Sequence, residues 1–331
     1  MQIRILFSVA ALSLGTVAGA QHASRLLVTQ KGDQSLALVD PAAGKVVASV
    51  PEGAYTAHEV IASSDGRRAF APIYGDSGVG QPGTDGTHMV VIDIASQKVI
   101  GNVDFHHGVR PHQPLIGPKD GLLYVTTELD KTVTIIDPKS LKILGAIPTG
   151  QAESHMLALS NDGLRGYTAN VGPGTVSVLD IKGRKNIAVI PVATHTQRIS
   201  ITNDDRFVLT SDTTKPQLVV VDTANNQVKT RIDMPGTGYG SAPTPDGNYL
   251  LIALPHVNKM GVIDLKTMNF ARGVDVPESP QEVLVRPDGK VAYVSCVGSD
   301  QVAEVDLATW KVSRLIKTGK LTDGLAWAAG K

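Results

Sequence analysis

The chain has 331 residues, 42% hydrophobic and 19% charged, with 31 basic and 31 acidic side chains and a formal charge of zero. This composition is ordinary for a globular protein with a sizeable core. It lacks the basic excess that a nucleic-acid backbone requires, and no charged tail supplies one, so nucleic-acid binding is excluded as a function class.

The first feature in chain order is "MQIRILFSVAALSLGTVAGAQHAS", in which Arg4 precedes an apolar run and Ala18-Gly19-Ala20 forms an A-x-A cleavage site. That pattern predicts a signal peptide over residues 1–20 and an exported mature chain, periplasmic or secreted. The apolar run is short for a transmembrane span and no later segment reaches that length, so no membrane span is expected after cleavage. Cys296 is the single cysteine, so no internal disulfide accompanies export.

From there on, one unit is written repeatedly. Hydrophobic runs ending in aspartate ("LALVD", "MVVID", "VTIID", "VSVLD", "LVVVD", "MGVID", "VAEVD") close at Asp40, Asp93, Asp137, Asp180, Asp222, Asp264 and Asp306. Successive intervals are 53, 44, 43, 42, 42 and 42 residues. Before each run after the first lies a D-G-type turn leading into a β-rich stretch, as in "PKDGLLYVTT" and "RPDGKVAYVS". A turn of this kind between two β-rich runs predicts a hairpin. Each unit therefore reads as four short strands, A to D, and helical periodicity is absent. Seven such units predict an all-β fold, a seven-bladed β-propeller of four-stranded blades. The mature chain opens on the B-type strand "RLLVTQ" and ends on the A-type "TDGLAWAAGK", so an N-/C-terminal clasp should close one blade. Residues 21–331 are then expected to form a single domain.

The segments "LLYVTTELDKTVTIIDPKSLKILGAIPTG" and "VAYVSCVGSDQVAEVDLATWKV" resemble the YVTN-type seven-bladed β-propeller repeat of the lactonase-like and nitrous-oxide-reductase-like group. The resemblance covers essentially the whole mature chain. It implies the propeller fold; its members include hydrolases, lyases, metal enzymes and binding proteins, so it does not fix the function.

In such blades the A–B and C–D turns emerge on one face, and the B–C loops and D-to-A links on the other. The turn aspartates of the first face are expected to accept backbone N–H bonds. The second face gathers the histidines, most densely in "DFHHGVRPHQPL". Counting eight residues back from each turn glycine, or from its equivalent, gives His58, Gln113, His155, Gln197, Tyr239, Gln281 and Asp323 at the mouth of the central channel. Glu59, His106, His107, Arg110, His112, His195, Arg198 and Glu282 lie on the same links.

His58, His112, His155 and His195 come from four successive links and form a candidate site for a divalent transition metal: Zn, Cu, Fe or Ni. Glu59 is a candidate ligand or general base, Arg110 and Arg198 candidates for orienting a carboxylate or phosphate, and Tyr239 a further candidate catalytic group. His58 and His155 are expected to stand on an open mouth with few packing contacts. No C-x-x-C-H is present, so the signature of covalent haem attachment is missing. The glycine-rich insertion "GDSGVGQPGTDG" is a loop able to cover the mouth. Two readings stay open. One is a metal-assisted lactonase-like hydrolase or lyase acting on a small polar or anionic substrate. The other is a non-catalytic propeller binding a protein partner, an envelope component or a metal ion.

Overall fold

Two kinds of turn shape each unit. In the C–D turns, Asp40, Asp93, Asp137, Asp180, Asp222, Asp264 and Asp306 each accept backbone N–H groups two or three residues on. In the A–B turns, Asp65, Asp120, Asp162, Asp204, Asp246 and Asp288 each accept the N–H two residues on. An ionised acceptor close in sequence satisfies turn donors that no strand can reach. The turn aspartates thus have the structural task expected of them.

The computed structural model describes residues 22–53 and 56–330, and the predicted signal peptide lies outside the described residues. Between the turns, strands with buried apolar runs assemble into seven antiparallel sheets. Blade 1 has the strand order 322–328, 25–30, 35–40, 45–51. Blades 2 to 7 follow in chain order, with innermost strands at 56–62, 111–116, 154–159, 196–201, 241–243 and 280–285. In blade 2 the innermost strand is broken into Thr56–Ala57 and Ile61–Ala62. The only helices among the described residues are two single turns, Lys31–Asp33 and Pro255–Val257.

The core lies between neighbouring sheets. Leu27, Leu36 and Leu38 of blade 1 pack on Ala69, Ala71 and Ile92 of blade 2, and Phe70, Met89 and Val91 of blade 2 pack on Leu123 and Val125 of blade 3. Cys296 is fully buried in one of these layers, and burial pushes its thiol up to about 12, as suits an apolar filler. The clasp is formed as the sequence predicts. Thr322–Ala328 pairs antiparallel with Arg25–Gln30, so both ends of the chain share one sheet.

Candidate functional site at the channel mouth

The innermost strands do not enter the channel regularly. In blade 3, Thr127 pairs with Pro111 and Val125 with Pro114, so His112 and Gln113 together oppose Thr126. The same bulge recurs at His155/Met156, Gln197/Arg198, Gln281/Glu282 and Asp323/Gly324. Two residues against one re-aims side chains and leaves backbone groups unpaired. Hydroxyls on the second strands fill that gap. Thr126 accepts from the N–H of Gln113 at 2.9 Å and donates to His155 O of the next blade at 2.8 Å, and Thr29 donates to His58 O at 3.2 Å. Gly324 occupies its bulge as glycine because a Cβ there would meet His58 O at 2.3 Å.

The bulge corrects the sequence register at one point. Each A–B loop is closed by an N–H that donates to the carbonyl five residues on: Ser63 to Arg68, Gly117 to Leu122, Ser160 to Arg165, Thr202 to Phe207, Thr244 to Tyr249 and Arg286 to Val291. Five residues before these donors lie His58, His112, His155, Gln197, Tyr239 and Gln281. His112, and not Gln113, is therefore the equivalent of His155. In the blade 3 turn the glycine, Gly121, comes four residues after the donor; Gly163 in blade 4 comes three after, so counting from glycine slips by one.

Two arcs result. In the first, His58, His112, His155 and Tyr74 pack ring to ring. The His112 and His155 centroids are 3.6 Å apart and tilted by 33°, while His58 meets His112 edge-on at 5.5 Å. Tyr74 lies 5.0 to 5.6 Å from all three imidazoles. His155 Nδ1 is 3.1 Å from Glu128 Oε2, and the Tyr74 hydroxyl donates to the same oxygen at 2.8 Å. Both ring nitrogens of His112 are buried without any hydrogen-bond partner, and the residue is only 1% exposed. Burial lowers all three imidazoles, His58 to about 3 and His112 well below its usual value, so the rings are neutral at pH 7.

The second arc is ionic. Arg198 pairs with Glu59, with Glu282 at 2.8 Å and with Asp323 at 3.9 Å, and its guanidinium lies 4.4 Å from the centre of the Tyr239 ring. Lys31 reaches Asp323 at 2.7 Å. Three carboxylates thus share two cations in a buried space. Burial pushes Glu59 up to about 6 and Glu282 up to about 8 against the pull of Arg198, while Lys31 and Arg198 outweigh burial and hold Asp323 low. Burial opposes the charge on Arg198, but Glu59, Tyr239, Glu282 and Asp323 together hold its pKa well above the usual value.

Several expected positions change. His195 is exposed and outside the imidazole cluster, so the four-histidine set is reduced to three. His58 and His155 are packed, not open: His155 is 2% exposed. Among the described residues, no three His, Cys, Asp or Glu side chains are grouped to hold a metal ion. His106 and His107 are exposed on the link, where His107 pairs with Asp130 at 2.8 Å, a bond that raises its pKa. Gln113, Gln197 and Gln281 are half-buried; of the charged groups that meet at the mouth, Glu59, Arg198 and Glu282 come one residue after His58, Gln197 and Gln281, while Asp323 stands at the expected position. Arg110 is 5% exposed and ties down the insertion, donating to Asp85 at 2.6 Å and to Gln81 O at 2.7 Å.

Tyr74, Glu128 and Lys31 were not among the expected residues. They share one position, the first residue after the second-strand partner of Ala57, Pro111 and Thr322 respectively. A long side chain with a polar end there in three successive blades, against Val171, Thr213, Pro255 and Val297 elsewhere, was the available signal.

The two arcs predict an asymmetric pH profile. The imidazoles titrate lower in the folded chain than in the unfolded one, so the stability they contribute is complete above about pH 6.5 and is lost as pH falls toward 3. Glu59 and Glu282 titrate higher when folded, so their contribution is present below about pH 4.5 and is lost as pH rises through 6 and 8. Between 4.5 and 6.5 the two effects oppose each other; below 4.5 only the losses remain. Urea unfolding between pH 4 and 8 should therefore show a maximum near 6 to 6.5, a shallow fall above it and a steep fall below 4.5. Equal unfolding free energies at pH 6.5 and pH 4 would contradict this assignment.

An all-β ring of seven four-stranded blades defines the class as a seven-bladed β-propeller. The family model for the Cytochrome D1 heme domain matches residues 83–321, and the chain belongs to that family. Among curated proteins it is similar to "Uncharacterized protein YncE" of Salmonella typhi and of Salmonella typhimurium (strain LT2), each 24% identical over 196 residues, 56% of this chain. The match takes in 55% of each relative, so the chain spans about half the length of the curated relatives it matches. Among solved structures it is similar to a Kuenenia stuttgartiensis hydrazine synthase chain, with a TM-score of 0.74, 18% identity and coverage of 91% of this chain and 99% of that one. It is also similar to dihydro-heme d1 dehydrogenase NirN in complex with DHE, with a TM-score of 0.66, 15% identity and coverage of 91% and 74%. At these identities the solved structures show the shared fold alone. The YVTN-type resemblance is consistent with this family.

Proposed function

We propose that this protein is an exported propeller that binds an iron tetrapyrrole of the heme d1 type, without covalent attachment, at the histidine-lined channel mouth. One observation carries the reading: within a chain of the heme-domain family, His112 is a buried, neutral imidazole with both nitrogens free of any protein partner. A buried polar group left unpaired costs about 1–3 kcal/mol, a cost that a ligand to that group offsets. The donor set fits this kind of group better than a bare metal ion. Zn requires three or four protein ligands, whereas an iron already held by a macrocycle requires one or two. His112 would hold the iron, with His58 and Tyr74 edge-on beside it. When bound, the group would supply redox and small-ligand chemistry at iron. The ring nitrogens face no open solvent, so entry requires a neighbour to move. The hydrolase reading has less support, because its candidate base, Glu59, is engaged by Arg198.

The test is titration of hemin into tag-free protein. A saturable, one-to-one, red-shifted Soret band is expected for the wild type. His112→Leu should weaken binding at least about tenfold while melting at the same temperature or higher, since it removes an unpaired buried polar group. His195→Ala should bind like wild type. Absence of a saturable band, or equal binding by His112→Leu, overturns the proposal.

A further inference from the structure

We propose that Glu128 is the positioning residue of the mouth, fixing His155 as the Nδ1–H tautomer and so making Nε2 the only base of that ring. The inference rests on the reading that the mouth binds a ligand, but its geometry stands alone. Glu128 Oε2 receives two groups: the Tyr74 hydroxyl at 2.8 Å and His155 Nδ1 at 3.1 Å. The hydroxyl has one proton and spends it on this oxygen, and an ionised carboxylate has no proton of its own to give, so Oε2 acts as acceptor toward both partners. The proton between the carboxylate and the neutral ring then belongs to Nδ1. Arg110 lies 3.8 Å from the other carboxylate oxygen, favouring a charged acceptor. Glu128 and His155 are each 2% exposed or less, so no bulk water competes for the bond.

The consequence is a division of labour between two stacked rings 3.6 Å apart. His112 is held by no hydrogen bond and is left to a ligand; His155 is held in one tautomer by an anionic partner, which raises the basicity of its remaining nitrogen. A cleft of about 310 Å³, lined by Gln81, Arg110, Lys131 and Glu153 among others, ends at Glu128.

Long-range ¹H–¹⁵N correlation spectra of the imidazoles at pH 7 test this on the ligand-free protein. The His155 ring should show the Nδ1–H pattern in wild type and keep it in Glu128→Gln, whose amide oxygen still accepts. It should shift to Nε2–H or to a mixture in Glu128→Ala. In parallel, hemin affinity should fall about tenfold or more in Glu128→Ala and recover in Glu128→Gln. An Nε2–H pattern in the wild type, which requires no variant to fold, overturns the proposal, as does an unchanged pattern in Glu128→Ala. If wild type fails to take up hemin while the tautomer shift appears, the binding reading falls and the role of Glu128 stands. If hemin binds and the tautomer does not move, the reverse holds.

Discussion

Replacing Arg198 with alanine is expected to cost about 3–5 kcal/mol of unfolding free energy at pH 8, because it strands buried carboxylates that the guanidinium now neutralises. Glu59 and Asp323 are 3% exposed, the Glu282 side chain is 15% exposed, and only Asp323 retains a second cation, Lys31. For a chain of this size the loss corresponds to a fall in melting temperature of about 5–8 °C. Arg198→Lys should recover only part of it, since one ammonium cannot serve three carboxylates and the Tyr239 face together. The direction with pH is a further check. In Arg198→Ala the stranded carboxyl groups can protonate, so the difference from wild type should shrink between pH 8 and pH 5.5. A loss under about 1 kcal/mol at pH 8, or one that grows on acidification, would show that the guanidinium does not neutralise these carboxylates as described.

How much of this was legible in the sequence depends on the range of the interaction. The blades were legible because their turns are local: each aspartate acts on N–H groups two or three residues away, so it recurs with the unit. The face that carries the histidines was legible for the same reason, since alternation of turns and links follows from strand count alone. The register of the mouth was not, because it depends on a bulge that puts two residues opposite one. That is why Arg198 and Glu282 meet the opposing charges while Gln197 and Gln281 do not. The burial of His155 and the isolation of His112 lie further out of reach. They follow from Tyr74 and Glu128, which come from two other strands and approach only when blades 2, 3 and 4 pack side by side around the ring. His195 failed for a plainer reason: it lies before its bulge, on the exposed part of the link, and shared only residue type with the others.

Closure of that ring should depend on the last ten residues. Deleting residues 322–331 removes the innermost strand of blade 1, which pairs with Arg25–Gln30 and packs on both neighbouring blades. Leu325 belongs to the layer shared with Val291 and Tyr293 of blade 7, and Ala326 and Ala328 to the layer shared with Ala69 and Ile92 of blade 2. Trp327 stacks on Tyr293 at 6.2 Å. Loss of one buried leucine side chain costs about 2–5 kcal/mol, and here Leu325 goes together with the partly buried Trp327, a ladder of strand hydrogen bonds and the cover of a sheet edge. The expected total, above about 5 kcal/mol, is comparable with the whole stability of an ordinary domain. The truncated chain should therefore either fail to fold or melt at least about 8 °C lower, with loss of cooperativity. Trp327→Ala should fall between the truncated and full chains, because it keeps the strand and removes only the stacking. The mouth should suffer with the clasp, since Asp323 leaves with the strand and takes the partner of Lys31 with it. A truncated protein that melts within a degree or two of the full chain would mean that the ring is closed by something other than the shared sheet.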